Sequence, residues 1–133
     1  MIYLLDTNAC IHHLKFADSP ITRKLSIHLP ETAVCSVTKA ELFHGAMRSA
    51  NPTQSMREQQ DFLELFVSLA FDDEAARICG RIRAQLANQG TPIGPYDLQI
   101  SAIALAHDLI LITHNVGEFK RVQDLKIEDW QTE

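Results

Sequence analysis

The chain has 133 residues, enough for one domain with an ordinary buried core, and its 46% apolar and 22% charged composition is that of a soluble globular protein. A formal net charge of −5 works against bulk attraction to nucleic acid, while leaving room for a local basic face or for a carboxylate site whose cation reverses the sign. No stretch approaches the roughly 20 apolar residues that span a bilayer, so no membrane association is expected. Asp6 interrupts the first apolar run and no cleavage site follows, so no signal peptide is expected. Cys10, Cys35 and Cys79 match neither a zinc spacing nor a disulfide framework; they read as structural thiols in a reducing, cytoplasmic setting.

In chain order, Ile2–Leu5 reads as a strand, followed by a helix to Lys15 that Thr7 or Asn8 can cap. Asp18–Pro20 breaks that helix, and a second short one covers Thr22–Leu29. Ala33–Val37 reads as a strand. Thr38 then opens a helix whose Ala40, Leu42, Phe43, Ala46 and Met47 fall at helical spacing, ended by Asn51-Pro52. Met56–Leu69 reads as an amphipathic helix through Phe62, Leu65 and Phe66, and Ala70-Phe71 as a very short strand. Asp72 or Asp73 caps the helix Glu74–Gln89, which Gly90 stops. After the irregular TPIGPYD, with Pro95 where a first helical turn tolerates proline, a helix runs from Tyr96 to His107. Leu109–Thr113 is a strand and Leu125–Ile127 an edge strand. Alternating strands and helices imply an α/β domain with a mostly parallel sheet covered on both faces.

Acidic residues sit where these elements meet. Asp6 follows the first strand, Glu41 lies shortly after the second, Asp97 opens a helix after GPY, and Glu118 follows the strand LILIT. Open parallel sheets place ligand sites at the carboxyl ends of their strands, and carboxylates gathered there suit a hard cation such as Mg²⁺. Each acid also has a local structural role open to it. Asp6 can be an N-cap; Glu41 completes a capping box with Thr38; Asp97 suits the positive end of its helix. Asn115 and Glu118 can be loop residues, and Asp129 reads as surface charge. His114 lies beside the acids as a loop residue, an RNA contact or an acid. No HExxH, GxSxG, GxGxxG or GxxxxGK[ST] occurs, which leaves zinc-protease, serine-hydrolase, dinucleotide and P-loop chemistry without support.

The pieces YLLDTN at 3–8, SVTKAELFHGA at 36–46, GTPIGPYDLQISAIALAHDL at 90–109 and ITHNVGEFKRVQDLKIEDW at 112–130 span the chain in one order. Together they resemble the PIN-domain ribonucleases, in particular the VapC toxins of bacterial toxin–antitoxin pairs. The resemblance implies one PIN domain over 1–133, a three-layer α/β/α fold with a central, mostly parallel sheet of four to five strands. It also implies a Mg²⁺ or Mn²⁺ site and hydrolysis of RNA phosphodiester bonds, in tRNA and specifically in the anticodon region of initiator tRNA. By position, Asp6, Glu41 and Asp97 match the family's principal acids. Many members carry Asp where this chain has Asn115, and Glu118 is the nearest acid there, so the fourth place falls to Glu118 or Asn115. Thr7, Asn8 and Thr113, with Asn115, match polar residues that support the ligands. Lys39, Arg48, Arg81, Arg83, Lys120 and Arg121 are candidate phosphate contacts. The expected partners are an antitoxin whose C-terminal segment blocks the site and a second copy of the chain. Leu42, Phe43, Phe62 and Phe66 either line a groove for that peptide or belong to the core. Two other readings stay open: a PIN ribonuclease that processes RNA without a toxin role, and a metal-dependent phosphatase.

Overall fold

A computed structural model describes residues 1–132 of the chain. Its centre is a five-stranded, wholly parallel sheet in the order β3-β2-β1-β4-β5. The strands are β1 (Tyr3–Leu5), β2 (Thr32–Cys35), β3 (Val67–Leu69), β4 (Ile110–Ile112) and β5 (Lys126–Glu128). The chain builds outward from β1 through β2 to β3, then returns to place β4 on the other side of β1. Neighbouring strands β1 and β4 therefore feed connections that leave in opposite directions, and an open parallel sheet binds its ligand in the crevice formed there.

Successive strand residues point to opposite faces, and this alternation sorts the apolar residues into two cores. Leu4, Ala33, Cys35 and Leu111 face α5 (Asp73–Asn88) and α6 (Pro95–Ala106), meeting Ile78, Ile82, Leu86, Ile100 and Ile103. Leu5, Val34 and Ile112 face the other way, toward α1 (Thr7–Lys15), α2 (Pro20–His28), α3 (Ser36–Met47) and α4 (Pro52–Leu63). Leu4 and Leu5 are fully buried, each contributing about 1.5–3 kcal/mol, which fixes the register of β1 from both sides. Trp130 closes the second core beside Tyr3, ring centroids 4.9 Å apart, and its indole N–H donates to Glu128 at 2.8 Å.

Several local expectations need correcting. Helix α4 stops at Leu63, and Val67–Leu69, not Ala70-Phe71, is the strand, paired with Ala33–Cys35. Phe62 and Phe66 are spaced like a helix stripe because a turn, with Phe66 N–H donating to Leu63 at 3.2 Å, delivers Phe66 to the same core. Pro20 begins α2 instead of ending a break, as proline suits a first helical position. Helix α3 begins at Ser36, behind Cys35, so Thr38 lies inside the helix and the Thr38–Glu41 capping box does not form. Leu42, Phe62 and Phe66 are buried core residues, whereas Phe43 is only partly buried, packs against that core and lines a surface cleft with Lys39, Gln60, Leu63 and Glu64. A short helix unforeseen in the sequence, α7 (Val116–Phe119), follows β4 and carries Glu118. Among the described residues no helix is long and apolar enough to cross a membrane.

Candidate active site

The carboxyl ends of β1 and β4 set the first side chains of the site. Asp6 follows Leu5 in extended backbone, its N–H held by the Ile112 carbonyl at 3.1 Å. Its Oδ1 accepts from the Ala9 N–H at 2.7 Å, so of the three caps open in the sequence, Asp6, Thr7 and Asn8, it is Asp6 that caps α1. The local role and the site role coexist: one carboxylate oxygen ties down the helix, which aims the other. Asp6 is 3% exposed. The Thr113 hydroxyl also bonds its side chain, and Thr113 Oγ1 in turn accepts from the Asn115 N–H at 3.0 Å.

With one turn of α1 capped by Asp6, Thr7 points toward α3. Thr7 Oγ1 donates to Glu41 Oε1 at 2.7 Å and also lies 3.2 Å from Thr38 Oγ1, which sits 3.5 Å from the Cys35 thiol. Glu41 is thus oriented by a residue from another element and not by its own helix end. Asp97 enters from the first turn of α6, behind Gly94 and Pro95, and is half-buried. Glu118, in α7, is held through the amide of Asn115, which donates to Glu118 Oε2. Asn8 is exposed at the rim.

Electrostatics ties the carboxylates together. Burial pushes the Asp6 carboxyl up to about 6 from its ordinary 3.8; bonds from Thr113 and the Ala9 N–H oppose this, and repulsion from Glu41 and Asp129 adds to it. Burial likewise lifts Asp97, to about 7, helped by repulsion from Glu118, by a side-chain hydrogen bond with Glu118, and by the charges of Asp6 and Glu41. Asp97 thus feels Glu118, Asp6 and Glu41, and Asp6 feels Glu41, at the crevice between β1 and β4. No basic side chain is among the groups that set either carboxyl. Gathered acids with unrelieved mutual repulsion form a donor set of hard oxygens that fits a divalent cation. Among the described residues no three His, Cys, Asp or Glu groups are already arranged to enclose an ion. A cation such as Mg²⁺ takes only one or two carboxylates and keeps several waters, so an open set suffices.

Asp129 was read as surface charge, yet it adds to the repulsion on Asp6 and pairs with His114, Nδ1 to Oδ2 at 2.9 Å. Its position straight after β5, another strand carboxyl end, is the signal that marks it. Two clefts open beside the acids. One runs past Glu41 with Ser36, His44, Tyr96 and Gln99; the other runs past Asn8 and Asn115 toward the end of α1. Of the basic residues proposed for phosphate, Arg121 reaches the Thr91 carbonyl at 3.5 Å. Arg77, which shares a helix face with Arg81, is paired with Glu74.

The chain matches the PIN domain family over residues 3–125. It is 36% identical over 128 residues to the tRNA(fMet)-specific endonuclease VapC of Salmonella typhimurium, covering 96% of this chain and 97% of that protein. To ribonuclease VapC1 of Haemophilus influenzae it is 39% identical over 132 residues, 98% of both chains. The crystal structure of DNA-bound VapBC from Salmonella typhimurium matches with a TM-score of 0.94 at 35% identity, covering 98% of each chain.

Proposed function

The chain belongs to the PIN-domain family, and from that membership we propose that it is an endoribonuclease toxin of the VapC kind, cutting RNA with a divalent cation held by Asp6, Asp97, Glu41 and Glu118. The observation that carries the site assignment is the electrostatic coupling of these carboxylates at the crevice where the sheet reverses its winding direction. Its relatives are ribonucleases that cover nearly its whole length, and its structural neighbours are complexes of toxin with antitoxin. An antitoxin is accordingly its protein partner, and a homodimer is the form in which we expect it to act. One PIN domain, 1–133, carries the whole site in this proposal.

Asp6 and Asp97 hold the cation, which we take to be Mg²⁺, with Mn²⁺ as a substitute. When bound, the cation supplies positive charge to the phosphate and makes a nearby water more acidic. Glu41, fixed by Thr7, orients the attacking water and accepts its proton. Water would add to phosphorus, one ester P–O bond to ribose would break, and the departing ribose oxygen would take a proton from solvent, leaving a phosphate monoester end and a hydroxyl end. Glu118, steadied by Asn115, completes the acidic ring, while Thr113 and Asn8 support it from the β1–β4 side. The substrate we propose is tRNA, initiator tRNA first, by likeness to the tRNA(fMet)-specific relative.

The test is to offer purified, antitoxin-free protein separate initiator tRNA, elongator tRNAs, ribosomal RNA and a small phosphate monoester in Mg²⁺. A discrete nick confined to initiator tRNA is the expected result. Turnover of the ester with all RNA left intact would make it a phosphatase. Growth arrest on expression, relieved by the antitoxin, separates a toxin from a housekeeping nuclease.

A further inference from the structure

The cleft at the end of α1 has a volume of about 450 Å³ and is lined by Asn8, His12, Lys15, Phe16, His114 and Asn115 among its residues. It adjoins the carboxylate site: Asn8 in its wall follows Thr7 in the chain, and Asn115 donates to Glu118. Phe16 is 53% exposed, although a ring this large gains from burial. The His12 ring lies against it, centroids 4.8 Å apart, which stiffens the pair as one aromatic surface. No carboxylate lines this cleft, and Lys15 places a cation in it. The other cleft, of similar volume, has no Lys or Arg among its lining residues, which include Glu41.

We propose that the α1 cleft seats the nucleotide next to the scissile phosphate, its base stacked on Phe16 backed by His12 and its phosphate facing Lys15. This rests on the RNA-cutting function above and names the residues that select the flanking nucleotide. Single-stranded RNA is recognised by splayed bases stacked on aromatic rings, with amides such as Asn8 and Asn115 reading base or ribose edges. The chain's net charge of −5 makes such a local cation-and-ring site the more necessary for holding RNA.

The experiment is steady-state cleavage of a labelled RNA hairpin with 2-aminopurine beside the cut, by wild type and by Phe16→Ala, Phe16→Leu, Phe16→Trp and Lys15→Gln. Phe16 and Lys15 are exposed, so these variants keep the fold. Phe16→Ala and Phe16→Leu should both raise KM roughly tenfold with kcat within about twofold, and Phe16→Trp should restore KM. Lys15→Gln should lower the salt dependence of binding by about one phosphate contact. Quenching of 2-aminopurine on binding to wild type should be lost in Phe16→Ala. An unchanged KM, a loss of kcat alone, or a Leu variant equal to wild type overturns the proposal. So does an unchanged KM with weakened antitoxin binding, which would assign the surface to the antitoxin. If the wild type cuts no RNA, the parent function fails and the subsite with it; if the wild type cuts and the variants match it, only the subsite fails.

Discussion

Thr7 Oγ1 donates to Glu41 Oε1 at 2.7 Å, joining the first turn of α1 to the second turn of α3. The bond couples the capping of one helix to the direction of a carboxylate on another. Removing the hydroxyl should therefore disturb chemistry more than fold. Thr7→Val should lower kcat about 10–100-fold with little change in KM, and cost about 1–2 kcal/mol of stability. Thr7→Ser should recover most of both. Parallel kinetics and denaturant titration check this, and a Val variant with wild-type kcat would remove Thr7 from the site.

Asp6 has two jobs that one substitution can separate. Asn caps helices about as well as Asp and carries no buried charge, so Asp6→Asn should keep α1 and leave the metal-free protein at neutral pH at least as stable as wild type. It lacks the charge for a cation, so cleavage should fall roughly a hundredfold or more. Circular dichroism and cleavage rates on the same preparation separate the two effects.

The raised acids give the metal-free protein a definite pH dependence. Asp6 at about 6 and Asp97 at about 7 hold protons in the folded state that the unfolded chain, at 3.8, has already released. Their contribution to stability is complete below 3.8 and is lost as pH rises through 6 and then 7. In EDTA, Tm should fall between about pH 4 and about pH 7 and level off above that, and should fall less in Asp97→Asn. Mg²⁺ should restore Tm in the wild type at the upper end of that range, because it binds only the folded site. Thermal melts across pH, with and without the metal, measure all of this.

Glu118 raises the Asp97 carboxyl by repulsion and by the hydrogen bond between them. Glu118→Gln removes the repulsion, so Asp97 should titrate at lower pH, and divalent-cation binding should persist to lower pH. An NMR titration of the Asp97 carboxyl carbon, with metal binding followed by calorimetry, tests it. An unmoved Asp97 would place Glu118 outside the cluster.

Much of this was legible in the chain. The strand carboxyl ends that carry Asp6 and Glu118 follow from short apolar runs bounded by polar residues, and parallel packing follows from their alternation with helices. Other features needed three dimensions. Phe66 has helical spacing from Phe62, so only its pairing context shows that the chain has left the helix. Thr38 and Glu41 form a capping pattern, but the helix starts two residues earlier, and Thr7, far away in sequence, takes Glu41 instead. Asp129 lies close to the terminus in sequence, yet the sheet order brings β5 beside β4 and so brings Asp129 near Asp6.

The central claim is that the clustered carboxylates form a cation-dependent RNA-cutting centre. Its most direct test is cleavage of total tRNA by antitoxin-free protein in Mg²⁺, beside an EDTA reaction and an Asp97→Asn reaction. Discrete cutting that disappears in both controls is the expected result. Cutting that survives EDTA and Asp97→Asn would contradict it and place the chemistry elsewhere.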